Sequence, residues 1–113
     1  MRKPSRGEVW HADLNPTRGK EIRGKRPCLV VSVDRFNHGP ANLVLVLPLT
    51  TTDTRIPFHI RIDPPESGAT KTAYIKTDQV RCISVERLER FRGDVSHQTM
   101  NAVEDCLRIL LGL

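Results

Sequence analysis

Residues 24–33 read Gly24-Lys25-Arg26-Pro27-Cys28-Leu29-Val30-Val31-Ser32-Val33. The run from Cys28 to Val33 is too apolar and too rich in β-branched residues for an exposed edge, so it predicts a central β-strand. Pro27 is tolerated at the first position of such a strand, where a missing backbone N–H costs least. Immediately before it, Arg18 to Arg26 carries five basic residues in nine, one acid (Glu21) and two glycines, the composition of a basic loop.

Working outward, Gly7 to Leu14 alternates, with Val9 and His11 on one side and Trp10 and Ala12 on the other. It predicts a strand, stopped by Asn15-Pro16-Thr17. Arg35 to Ala41 is a turn region. Asn42 to Leu49 predicts another strand, with Pro48 marking a bulge or an edge. Ile56 to Ile62 alternates as a half-buried strand, and Asp63 to Gly68 is a turn. Thr72 to Thr77 and Arg81 to Val85 predict two short strands joined around Asp78-Gln79, while Glu86 to Val95 has no clear pattern. The one helix expected is Ser96 to Leu111, with Ser96 as N-cap and Gly112 at C′. Its stripe is Met100, Val103, Leu107 and Leu110, widened by Cys106 and Leu111. Short strands and one packed helix imply a small, mostly β barrel or curled sheet.

The 113 residues suit one domain spanning 1–113. No apolar run approaches the roughly 20 residues that cross a bilayer, and no signal peptide is expected from the charged N-terminus. Cys28, Cys82 and Cys106 are odd in number and unpaired in spacing, so reduced thiols and a cytoplasmic location are expected. Neither they nor the scattered histidines have metal-ligand spacing, and no metal or cofactor is expected. The net charge of +5 points to a polyanionic partner, nucleic acid first. P-loop, dinucleotide, nucleophile-elbow and zinc-protease patterns are absent, and the sparse aromatics do not suggest an RNA-stacking platform.

A metal-free ribonuclease needs few groups. The substrate's 2′-hydroxyl attacks the adjacent phosphorus, and the protein moves two protons and stabilises phosphoryl charge. Arg26, fixed before a rigid proline, suits the charge-stabilising role, because a guanidinium fork can hold two phosphoryl oxygens. Thr50 ends a strand and offers a hydroxyl. Glu21, Lys76 and Asp78 complete the candidates, the last two sharing a face if the chain there is extended. From the residues alone, each has a plainer alternative: a solvated cation, a turn threonine, a neutralising acid, a surface ion pair.

The ordered set Arg6-Gly-Glu-Val-Trp10, Asp13-Leu-Asn-Pro-Thr-Arg-Gly-Lys-Glu21, Gly24-Lys-Arg-Pro-Cys-Leu-Val-Val31, Pro48-Leu-Thr-Thr51 and Asp78-Gln-Val-Arg-Cys-Ile83 resembles the MazF/PemK/Kid toxins. Arg87-Leu88 and the terminal helix complete the match. The resemblance implies an SH3-like barrel with an added helix, shared with the CcdB toxins. It implies a homodimeric toxin of a type II toxin–antitoxin system that cuts single-stranded RNA at short sequences without a metal. The products would be a 2′,3′-cyclic phosphate and a 5′-hydroxyl, and the partner a MazE-like antitoxin with an acidic tail. It implies Arg26 as phosphate stabiliser and candidate general acid, and Thr50 as the group orienting the scissile phosphate. Glu21 matches an acid used in catalysis by some members, and Asp78 a candidate base or substrate-reading group. Arg18, Lys20, Arg23, Lys25, Thr51 and Lys76 would bind RNA. Lys20 and Lys76 replace a histidine and an arginine found in some members. The competing expectations are a CcdB-like gyrase poison without catalysis, and a non-catalytic RNA-binding barrel. The Arg26-Pro27 and Pro48-Leu-Thr50 motifs, and a C-terminus without tryptophan, favour the nuclease over the poison.

Overall fold

The computed structural model describes residues 2–113. Its strands are β1 (Glu8–Asp13), β2 (Lys25–Val30), β3 (Leu43–Thr50), β4 (His59–Ile62), β5 (Ala73–Lys76), β6 (Arg81–Ser84) and β7 (Leu88–Asp94). Two helices, α1 (Asp34–Asn37) and α2 (His97–Leu111), and three single-turn 3₁₀ segments complete it. The strands form one antiparallel sheet in the order β4-β5-β3-β2-β1-β7, with β6 also paired to β3. Among the described residues no helix is long and apolar enough to cross a membrane.

The run from Cys28 is apolar at every position because both faces of β2 are covered. Leu29 joins Val9, Leu47, Leu49, Ile62, Ile75 and Val103 of α2 in one core. Cys28 and Val30 join Trp10, Ala12, Leu14, Val44, Val46, Ile83 and Leu88 in the other. Burial pushes the Cys28 thiol up to about 12, which leaves it a packing residue and not a nucleophile.

Both prolines sit where a ladder is interrupted. β2 begins at Lys25, two residues before the expected start, and ends at Val30, short of the expected Val33; Pro27 therefore lies within the strand and pairs with His11. The ladder to β3 has already ended at Cys28. Pro48 pairs with Cys28 on one side. On the other it falls in the gap between β6, whose pairing ends at Val46, and β5, whose pairing begins at Leu49. The missing N–H is tolerated at such breaks.

Three expectations need correction. The alternation at 56–62 yields a strand only over His59–Ile62, because its partner β5 offers four residues and pairing stops at His59–Lys76. The expected turn at 35–41 opens with the short helix α1, whose buried Asn37 donates to the Ser32 carbonyl at 2.8 Å. The unassigned stretch 86–95 contains β7, which pairs with β1 through two register shifts. Its outer positions are charged and exposed, as at Glu89 and Arg90, so no clean alternation survives in the sequence.

α2 follows its caps. Ser96 Oγ accepts the Thr99 N–H at 3.1 Å, and Gly112 adopts a left-handed φ of 71°. Val103 is fully buried, with Met100 and Leu107 packed beside it, but Leu110 and Leu111 are exposed, so the stripe is buried only over its first half.

The sheet curls until the turn after β4 meets β7. A Cβ on Gly68 would lie 2.5 Å from the Arg92 carbonyl oxygen, and one on Gly93 would lie 2.7 Å from Ser67. Only glycine permits this approach, and Gly68 also has a positive φ of 73°. Arg92 seals the seam, its guanidinium donating to the Ser67 carbonyl at 2.8 Å and to Ser67 Oγ at 3.1 Å.

Candidate active site

β2 and β3 bring Arg26 and Thr50 to one end of the barrel. Arg26 is held by the β1 ladder, opposite Ala12, and Thr50 by the β5 ladder, opposite Tyr74. The two residues line one cleft of about 190 Å³ together with Lys25, Pro27, Leu49, Thr51, Thr70, Lys71, Ala73 and Arg92. Four cations and three threonines face this space, and among the described residues no carboxylate lines it.

The polar contacts of both central residues leave useful donors free. Arg26 Nε donates to the Arg23 carbonyl at 2.8 Å, which orients the guanidinium and leaves its two terminal nitrogens unengaged. Thr50 Oγ1 accepts the Thr52 N–H at 3.2 Å, so its own hydrogen remains available for an anionic oxygen. Arg92 is partly desolvated, which lowers its pKa from the ordinary arginine value, and its hydrogen bonds go to neutral oxygens of Ser67. Lys25 sits at the rim, 3.2 Å from Glu89. Unengaged guanidinium and hydroxyl donors in a cleft without acid are suited to a phosphate.

The remaining candidates fall elsewhere. Lys20, Glu21 and Asp78 line a second cleft, of about 430 Å³, with Gln79, Val80 and Arg81. Gln79 builds it: its side chain accepts the Ile22 N–H at 2.7 Å and donates to the Lys20 carbonyl at 3.1 Å, tying the basic loop to the turn Thr77–Gln79. Glu21 Oε1 accepts the Arg18 N–H at 2.6 Å and closes the loop's tight turn. Asp78 pairs with His59 at 2.9 Å. The expected Lys76–Asp78 pairing does not form, because the chain leaves β5 at Lys76 and turns before Asp78. Arg18 and Arg23 are exposed on the loop and line neither cleft, as does the half-buried Lys76.

The sequence reading therefore named Arg26, Thr50, Thr51 and Lys25 of the first cleft but missed Thr70, Lys71 and Arg92. No local pattern marks them. Thr70 and Lys71 follow a turn, and Arg92 sits in the one stretch without a legible period. It also missed His59, which appears in the sequence as one of four scattered histidines.

The family described as PemK-like, MazF-like toxin of type II toxin–antitoxin system matches residues 5–111. The chain is 34% identical to the endoribonuclease MazF9 of Mycobacterium tuberculosis, over 96% of each chain. It is 32% identical to the endoribonuclease EndoA of Bacillus subtilis, over 96% of this chain and 94% of that one. Among solved structures, MazF from Deinococcus radiodurans superposes with a TM-score of 0.87 at 23% identity and full coverage of both chains, a likeness of fold. A mycobacterial endoribonuclease in complex with its cognate antitoxin superposes with a TM-score of 0.78 at 31% identity, covering 97% of this chain and 96% of that one.

Proposed function

The chain belongs to the PemK-like, MazF-like toxins of type II toxin–antitoxin systems, and from that premise we propose how its clefts perform the reaction and on what substrate. It is an endoribonuclease. The substrate is single-stranded RNA, cut at a short sequence by attack of the 2′-oxygen on the adjacent phosphorus. The bond from phosphorus to O5′ breaks. The 2′-hydroxyl gives up its proton, the leaving O5′ takes one, and no water is consumed. A 2′,3′-cyclic phosphate and a 5′-hydroxyl result. Arg26 grips the phosphoryl oxygens through its two unengaged nitrogens, and Thr50 donates its hydroxyl hydrogen. The charge stabilisation comes from these donors, so the reaction proceeds without a metal.

The observation that carries this reading is the convergence of Arg26 and Thr50, from separate strands, on one cleft with three further cations and no acid. Glu21 and Asp78 lie in the second cleft and are assigned to reading the substrate, with Lys20 beside them. Arg18, Arg23, Lys25, Thr51 and Lys76 bind RNA around the clefts. The same basic surface suits the acidic tail of a cognate antitoxin. The exposed apolar end of α2, with Ile109, Leu110, Leu111 and Leu113, supports a homodimer. The whole chain acts as one domain in the cytoplasm, where its free thiols stay reduced.

The test is cleavage of a long, weakly structured RNA by purified protein in excess EDTA, beside Arg26→Ala. Wild type should give discrete fragments with 5′-hydroxyl ends. The variant should be slower by about 10³-fold, the scale of losing a preorganised transition-state donor. Cleavage by Arg26→Ala at the wild-type rate would remove Arg26 from the mechanism. RNA that survives in EDTA and is cut only after a divalent cation is restored would overturn the metal-free reading.

A further inference from the structure

His59 is the first residue of β4, yet its imidazole takes part in neither core. The side chain is 3% exposed. Its Nδ1 lies 2.9 Å from Thr54 Oγ1, and its Nε2 lies 2.9 Å from Asp78 Oδ1. A carboxylate can only accept, so Nε2 carries a hydrogen, and in the neutral ring Nδ1 accepts the Thr54 hydroxyl. One buried ring thus holds two exposed side chains, one on the loop that follows Thr50 and one at the second cleft.

Packing alone does not require this arrangement. The same corner is already pinned by Thr77, whose buried hydroxyl donates to the Phe58 carbonyl, and by the Ile60–Ile75 pairing next to it. Those contacts hold the backbone. What His59 adds is the orientation of Asp78. With Oδ1 engaged from beneath, the other oxygen is free at the cleft surface, in a fixed position, to accept from a donor on the substrate. An exocyclic amine or ring N–H on the edge of a nucleobase is such a donor. An unrestrained aspartate on an exposed turn would have to be ordered by each incoming substrate. Pre-ordering one such side chain is worth roughly two- to tenfold in affinity.

We propose that His59 is a positioning residue for RNA recognition: a buried imidazole that fixes the Asp78 carboxylate toward the substrate base and ties it, through Thr54, to the loop leaving Thr50. The proposal rests on the functional reading above. It assigns His59 to binding and not to the chemical step, because Thr50 is held by its own ladder with Tyr74 and Arg26 by its ladder with Ala12. Neither depends on the imidazole.

The distinguishing experiment is steady-state cleavage of one RNA oligonucleotide by wild type, His59→Phe, His59→Gln and Arg26→Ala, with a thermal melt of each. Phenylalanine fills the buried space but holds neither partner. Glutamine can donate to Asp78 and accept from Thr54. His59→Phe should raise KM about tenfold with kcat within twofold, and His59→Gln should recover most of the loss. Because His59→Phe alters a buried site, Thr54→Val supplies a surface variant that breaks only one end of the bridge, and it should raise KM two- to threefold. If Arg26→Ala is inactive while His59→Phe and Thr54→Val keep the wild-type KM, the positioning role is wrong and the functional reading stands. If His59→Phe lowers kcat with KM unchanged, or His59→Gln is as impaired as His59→Phe, recognition through Asp78 is equally overturned. If Arg26→Ala cleaves like wild type, the functional reading fails and takes this proposal with it.

Discussion

The two clefts are built by different means. Arg26 and Thr50 stand on strands, each locked by backbone pairing to a neighbour. Glu21 and Asp78 stand on a loop and a 3₁₀ turn, held to each other's surroundings by side chains of Gln79 and His59. The first cleft offers donors and positive charge without an acid; the second offers carboxylate acceptors. A transition state has the same phosphate geometry in every substrate, so the groups that meet it gain from a rigid ladder. A base sequence differs from one substrate to another, so the groups that read it sit on segments whose sequence can change without disturbing the barrel. The comparison therefore predicts that mutations in the first cleft fall on kcat, and mutations in the second on KM and on which sequence is cut.

After Arg26, the largest effect should come from Thr50→Val. Valine is β-branched and suits the strand, so the fold should persist while the Thr50 hydroxyl donor is lost. A fall in kcat of about 10²-fold with little change in KM is expected from single-turnover and steady-state rates, on the scale of one donor to a developing charge. A KM effect of that size with kcat intact would place Thr50 in binding and blur the division between the clefts.

Lys71→Met is expected to act more mildly. Lys71 is an exposed cation at the wall of the first cleft. If it neutralises one phosphate, its loss should weaken binding of an uncleavable RNA, with a deoxyribose at the cut site, by about tenfold at low salt. The salt dependence should also flatten by about one unit of log–log slope. An unchanged slope would show that the strand leaves the cleft before reaching Lys71.

How much of this was legible in the sequence follows the same division. The central strand was readable from Cys28 to Val30 because burial on both faces leaves nothing but apolar residues there. α2 was readable because its caps and stripe are local. Arg26 and Thr50 were readable because each lies near a strand end in a short motif, Arg26 directly before Pro27 and Thr50 two residues after Pro48. β7 was not, because an edge strand with charged outer positions and two register shifts carries no regular period. Arg92 went unnoticed with it, and its place in the first cleft depends on the sheet curling far enough to bring Gly68 against Gly93. His59 was invisible for another reason. Its partners are five and nineteen residues away, and nothing in the chain between them signals that a 3₁₀ turn will fold back onto the start of β4.

Glu21 offers the smallest expected effect and the sharpest test of the division. Its Oε1 accepts the Arg18 N–H, a bond that a glutamine carbonyl can also make, so Glu21→Gln should preserve the loop and remove only the charge. If Glu21 reads the substrate, kcat should stay within about threefold while preference at one base of the cut site relaxes by about 1 kcal/mol, the low end of a base-edge contact. Fragment-end mapping on a mixed-sequence RNA would show that change directly. If instead Glu21 takes the 2′-hydroxyl proton, kcat should fall by about 10²-fold or more. That outcome would move the chemistry across both clefts, and the ladder-held pair Arg26 and Thr50 would be only half of the active site.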